Sequence, residues 1–191
     1  MPELAPHIPI NRQRTPCADK NDRLGWKDGF SLELEGISFG VRSNDVEMLP
    51  QLRSYFPAHA RSSDRREVEV LLSLIKGGAT ARKGVLNYHL VYDAWDRLVR
   101  THDLEVALKV FAETISSRVA TWSHEKLYVL GSVFTWNDQA LMLLGGTPEL
   151  EEDLMSAGAV RFSSEFAQIN HANQVESWDA GTRPMAPGWV E

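Results

Sequence analysis

The chain has 191 residues, 43% hydrophobic and 24% charged, with a formal net charge of −6, enough for one ordinary domain with a real core. The acidic balance, with no basic tract or RNA-reading motif, excludes nucleic acid as an expected partner, and the single cysteine, Cys17, excludes an internal disulfide framework or a multi-cysteine metal site. No apolar stretch approaches the roughly 18 residues of a membrane span, and the N-terminal segment lacks the apolar core of a signal peptide, so a cytoplasmic protein with no membrane partner is expected.

Residues 1–28 are polar and without periodicity and read as a flexible N-terminal arm, in which Cys17 is an uninvolved thiol; 177–191, with Trp178 and Trp189, read as a C-terminal tail. Between them, 29–176 read as a single domain. "FSLELEG" puts Phe30, Leu32 and Leu34 on one strand face, and "ISFGVRS" puts Ile37, Phe39 and Val41 on one face. The parity changes across Glu35–Gly36, as a tight hairpin or a glycine bulge requires. "NDVEMLPQLRSYFP" spaces Val46, Leu49, Leu52 and Phe56 helically, with Ser43 or Asn44 as cap and Pro50 expected to kink or interrupt the helix.

"REVEVLLSLI" alternates Val68, Val70, Leu72 and Leu74 inward against Glu67 and Glu69 outward. "KGGATARKG" offers Lys76, Arg82 and Lys83 but no Gly-Lys-Ser/Thr order and no following helix, so it reads as a hairpin tip rather than an anion-binding loop. "VLNYHLVYDA" sets Leu86, Tyr88, Leu90 and Tyr92 against Asn87 and His89, which places His89 on the polar face, a proton carrier only if that face lines a cleft. The longest helix signal follows: Leu104, Leu108, Phe111, Ile115, Val119 and Trp122 recur at steps of three and four behind Asp103 or Thr101 as cap, and His124 caps its end.

"KLYVLGSVFTW" is nearly all apolar, as a strand buried on both faces is; Asn137–Asp138 supply a turn and "ALMLL" a return strand. Gly145 and Gly146, a short helix near 148–157, and one or two strands in "AVRFSSEFAQI" complete a mixed α/β domain with a substantial antiparallel component. His171, Glu176 and Asp179 fit no tight metal-ligand spacing and read as surface scatter; no Ser-His-Asp or Cys-His grouping emerges from spacing.

"LYVLGSVFTWNDQALMLLGG" and "SAGAVRFSSEFAQI" resemble the kinase domain of the HPr kinase family, whose fold is shared with phosphoenolpyruvate carboxykinase. The first half is similar to HPr-kinase-related proteins in its Phe-Ser-Leu opening, its Gly36-x-x-x-Gly40-Val41-Arg42 stretch and a helix ending in Tyr55-Phe56-Pro57. The resemblance covers about residues 30–175 and implies an HPr-kinase/PEP-carboxykinase-like sheet with a Gly-rich phosphate loop, carrying Lys-Ser/Thr, that opens a helix. It also implies a His-Ala-Gly and a Ser-Asp-Asp/Glu-Tyr-like motif.

The departures decide the functional expectation. A phosphate loop needs glycines that turn successive N–H groups to the phosphates, a lysine for charge and a Ser/Thr for Mg²⁺. "GGTPELEEDLM" is about five residues too short, has no lysine, and puts Thr147 and Pro148 where a capped helix begins. Glu149, Glu151, Glu152 and Asp153 crowd the helix start and satisfy the partial positive charge that phosphate exploits. Leu130 stands where the family motif has histidine, and Ser164–Glu165 where it has Asp-Asp/Glu. Glu165 is then either the one acid retained at the old site or a solvated strand-end carboxylate.

The expectation is a non-catalytic, HPr-kinase-like pseudokinase: a binding or accessory protein with a degenerate phosphate loop at Gly145, Gly146 and Thr147. It would take no ATP, cofactor or metal, and its partner would be a protein or peptide. The alternative is an enzyme that re-uses the old cleft, with Glu165 or His89 as catalytic group, for nucleotide-independent small-molecule chemistry. An active ATP-dependent protein kinase ranks third.

Overall fold

The computed structural model describes residues 7–12, 21–78, 87–123, 126–137, 139–163, 166–170 and 175–177. The chain divides into two compact units, residues 1–56 with 60–119 and residues 57–59 with 120–191, where the sequence reads as one domain.

The first unit contains β1 (Ile10–Asn11), β2 (Asp28–Leu34), β3 (Ile37–Ser43), a 3₁₀ turn at Val46–Met48, α1 (Leu49–Ser54), β4 (Arg61–Ser63), β5 (Glu67–Val68), β6 (Val70–Ile75), β7 (His89–Asp93) and β8 (Asp96–Thr101). α2 (Leu104–Trp122) follows and runs on into the second unit. Six strands form one sheet in the order β4-β2-β3-β6-β7-β8, in which only β3 and β6 are parallel; β1 and β5 form a separate parallel pair.

The hairpin between β2 and β3 closes at Leu34↔Ile37. Glu35 and Gly36, at φ 49° and 77°, are its two turn residues, the doubly left-handed geometry that matches strand twist. That turn produces the change of parity seen in the sequence. Pro50 does not interrupt a helix. The 3₁₀ turn, capped by Asp45 accepting from the Glu47 N–H, hands over to α1 at Leu49. Pro50 thus falls in the first turn of α1, where a missing N–H costs nothing. Val46 is exposed, and Asn44, expected as a cap candidate, instead exchanges two hydrogen bonds with the Lys76 backbone.

One face of the sheet carries Leu32, Phe39, Val41, Val70, Leu72, Leu74 and Val91, all buried. Against it stand the expected core residues of α2, Leu108, Phe111, Ile115 and Val119; Trp122 at its end is exposed. Phe56 joins the two layers, its ring 6.1 Å from Phe30, 5.6 Å from Phe39 and 6.5 Å from Phe111, edge-on to each. β3 and β6 are buried on their other face as well, so the strict in–out alternation expected for "REVEVLLSLI" does not hold.

Residues of the expected arm cover part of that second face. Ile10 N–H donates to Arg66 O at 2.7 Å and Arg12 N–H to Val68 O at 2.8 Å. A Cβ added to Gly40 would lie 2.6 Å from Pro9 Cβ, so the close approach of Pro9 requires glycine there.

β7 also departs from expectation. Val91 and Asp93 are its buried residues and Leu90 and Tyr92 are half-buried, so the His89 parity is the inward one. Asp93 pairs in register with Leu72 and is held by Arg118 of α2.

The second unit contains β9 (Leu127–Leu130), β10 (Ser132–Trp136), β11 (Gln139–Leu143), α3 (Pro148–Ser156), β12 (Val160–Ser163), β13 (Phe166–Ile169) and β14 (Val175–Ser177). They make two antiparallel three-stranded sheets, β14-β13-β9 and β11-β10-β12. "KLYVLGSVFTW" is therefore not one strand: the chain breaks at Gly131, and its halves belong to different sheets. Val133, Ala167 and Val175 form a core packed by Val129, Ala140, Met142 and Phe162, while Leu127 and Leu130 are exposed.

Candidate functional site

The glycine segment lies between β11 and α3. Antiparallel pairing sets Leu143 opposite Ser132. The chain then turns through Gly145, at φ 65°, and Gly146 into the cap. Thr147 is extended (φ −91°, ψ 155°) and its Oγ1 accepts the Leu150 N–H at 3.4 Å, a side-chain N-cap. The first intrahelical bond runs from Glu151 N–H to Thr147 O at 3.2 Å.

A helix start leaves a few N–H groups without an intrahelical acceptor, and these are what a phosphate binds. Here Pro148 has none. The Glu149 N–H meets its own carboxylate, and the Leu150 N–H meets Thr147. The hydrogen bonds from Thr147 and from the Glu149 backbone hold the Glu149 carboxyl below its ordinary pKa.

Glu151 does more than neutralise the helix end. Its carboxylate accepts from the Ser132 hydroxyl through Oε1 and from Arg161 Nη2 through Oε2 at 2.6 Å. One side chain thus ties α3 to both β10 and β12. The sequence shows Glu151 as one of the acids that meet the charge of the helix start; its partners come from two strands, and no local spacing announces them.

Leu130, where the resemblance implies histidine, is 71% exposed at the end of β9, in register with Phe166. Ser164 and Glu165 lie outside the described residues, as do Cys17, Arg82, Lys83, Leu86, His124, Asp138, His171, Trp178, Asp179 and Trp189 and the side chain of Glu176. Gln168, two residues into the described part of β13, is 1% exposed. Its Oε1 accepts from Lys126 Nζ at 3.4 Å, and its Nε2 has no hydrogen-bond partner among the described residues.

His89 belongs to the first unit, whereas Gly145, Gly146 and Thr147 belong to the second. Its Nδ1 accepts the Gly77 N–H at 3.2 Å, which places the proton of the neutral ring on Nε2. Burial, and then the nearby Lys76 charge, push its pKa below the ordinary value. A neutral ring that closes the chain at Gly77 is the resulting role. Lys76 itself pairs with Asp45 at 2.7 Å, and that hydrogen bond raises the lysine and lowers the carboxyl.

Two guanidinium groups that spacing did not single out hold buried or half-buried ion pairs in the first unit. Arg42, 1% exposed, donates through Nε to Ser73 Oγ at 3.0 Å and through Nη1 to Asp22 Oδ1 at 2.5 Å, and lies 4.6 Å from the Trp26 ring centroid. Burial lowers its pKa, and Asp22 opposes that. Arg118 grips Asp93 through Nε and Nη2.

Among the described residues, no group of three or more His, Cys, Asp or Glu side chains is placed to hold a metal ion, and no helix is long and apolar enough to cross a membrane. Comparison of the chain with protein-family models, with curated protein sequences and with solved structures finds no match.

Proposed function

We propose that this chain is a non-catalytic, HPr-kinase-like binding or accessory protein of the cytoplasm, a pseudokinase that does not bind ATP. The observation that carries the reading is the start of α3. Its N–H donors are absent at Pro148 and taken at Glu149 and Leu150, and its charge is met by Glu149 and Glu151. An incoming triphosphate would have to displace the Thr147 cap and face carboxylates where it needs a lysine. A module that has given up this chemistry works through contact, so its partner is a protein or peptide.

The test is a thermal-shift titration with ATP and Mg²⁺. A ligand at 100 times its Kd stabilises a folded unit by about 2.7 kcal/mol, several degrees in midpoint. No shift at millimolar ATP is expected, and a clear shift overturns the proposal.

Gln168 favours a second reading, in which the second unit is an enzyme acting on a small molecule without nucleotide. A buried amide donor without a partner is costly unless something fills it. An active ATP-dependent kinase ranks last, because phosphate would have to be held by residues other than Gly145, Gly146 and Thr147.

A further inference from the structure

We propose that a groove of the first unit, beside the end of β4, binds a free amino acid with an apolar side chain. The pairing of β4 with β2 stops at Ser31↔Ser63, and Gly29 and Phe30 run on past it. The groove that opens there has a volume of about 480 Å³, within the range of small-ligand sites. Phe30, Leu49 and Pro50 are apolar residues of its lining, and Arg53, Ser62 and Asp64 are polar ones.

The charges select the ligand. Arg53 Nη2 donates to Ala60 O at 2.8 Å, which fixes the guanidinium and leaves its other N–H groups for a carboxylate. Among the described residues neither the Arg53 guanidinium nor the Asp64 carboxylate has an ion-pair partner, and they do not pair with each other. A simple anion meets Asp64, and a simple cation meets Arg53. A zwitterion satisfies both, with its carboxylate on Arg53 and the Ser62 hydroxyl and its ammonium on Asp64. The aliphatic side chain then lies on Phe30, Leu49 and Pro50. His7 and Ser31, which also line the groove, bond each other at 3.0 Å and make no demand on the ligand. The proposal does not depend on the α3 reading, which concerns the other unit.

The experiment is an NMR titration of the full chain with L-leucine, L-leucinamide and N-acetyl-L-leucine, on the wild type and on Asp64→Asn. Asp64 is exposed, so its substitution does not threaten folding. Leucine is expected to move the amide signals of Phe30, Leu49 and Ser63. The amide, lacking the carboxylate, and the acetyl derivative, lacking the ammonium, should each bind about two- to fivefold more weakly, the contribution of a solvent-accessible ion pair. Asp64→Asn should weaken leucine by the same factor and leave N-acetyl-leucine unchanged. The proposal fails if none of these signals moves, if the three ligands bind equally, or if Asp64→Asn affects leucine and its acetyl derivative alike.

Discussion

Arg118 of α2 and Asp93 of β7 form an ion pair in which the carboxylate is 8% exposed and the guanidinium 37%. The pair fixes the long helix to the sheet beside its apolar contacts. Burial raises the Asp93 pKa, and Arg118 works against that rise. Arg118→Met leaves the carboxylate buried without its partner. The expected loss is about 3 kcal/mol at neutral pH, the low end for breaking a buried pair because Arg118 is partly exposed. Denaturant unfolding measures it, and Asp93→Asn in the same chain should recover a large part.

The pH dependence of that variant has a defined sign. A carboxyl whose folded pKa is raised binds its proton more tightly in the folded state than in the unfolded state. Its contribution to stability is therefore greatest below the unfolded pKa, near 3.9, and is lost as pH rises through the folded pKa. Without Arg118 the rise is larger, so the penalty of Arg118→Met should shrink as pH falls from 7 toward 4. Asp45 and Glu69 run the other way, because hydrogen bonds from Lys76 and from the Ser38 backbone lower their pKa values. Their contributions hold above the unfolded pKa and fade as pH falls through the folded one. A penalty for Arg118→Met that is flat with pH would mean that Asp93 is not the group left uncompensated.

Phe56 should behave as the core residue that joins the layers. It is 4% exposed and touches rings from β2, β3 and α2. Phe56→Ala is expected to cost about 3–5 kcal/mol, whereas Val46→Ala, at an exposed position of the preceding turn, should stay within about 0.5 kcal/mol. Equal effects in chemical denaturation would contradict the packing described.

Gly40→Ala tests whether the N-terminal segment is part of the folded unit. The new methyl group would meet Pro9 Cβ at 2.6 Å and Val68 Cγ2 at 2.8 Å. Overpacking of this kind costs about 1–3 kcal/mol. The expected readout is faster amide exchange at Ile10 and Arg12, whose N–H groups bond Arg66 O and Val68 O. Unchanged exchange there would show that Pro9 does not press on Gly40.

What the sequence made legible was what local periodicity or turn chemistry encodes. The parity change at Glu35–Gly36 announced the hairpin, the steps of three and four from Leu108 to Val119 announced the face of α2, and Thr147-Pro148-Glu149 announced a capped helix start. Positions settled by distant partners were not legible. Asp93 lies inward with Val91, where Arg118, 25 residues away, meets it, the reverse of the face assigned to β7. The break at Gly131 sits inside an apolar run that carries no record of which face is covered. The Ser132–Glu151–Arg161 contact joins three elements at separations that no motif spans.

That contact also governs the outcome of grafting in a phosphate loop. Replacing Gly145–Asp153 by a glycine-rich loop with Lys-Ser would supply a cradle of N–H groups and a lysine charge, and with them some nucleotide affinity. It would also remove Glu151, leaving Arg161 and the buried Ser132 hydroxyl without their acceptor. A graft that retains a glutamate at the Glu151 position of the helix should therefore be more stable than one that does not, by about 1–3 kcal/mol, the cost of an unsatisfied buried polar group. Neither graft is expected to transfer phosphate. Phosphoryl transfer requires Mg²⁺ held in place and a residue that orients the nucleophile. Where the resemblance implies histidine and aspartate, this chain has Leu130, which carries no proton, and Ser164, a weak metal ligand. Turnover should appear only after Leu130→His and Ser164→Asp are added. ATP hydrolysis well above background from the loop graft alone would mean that the rest of a kinase site is intact, and it would move the active-kinase reading from last place to first.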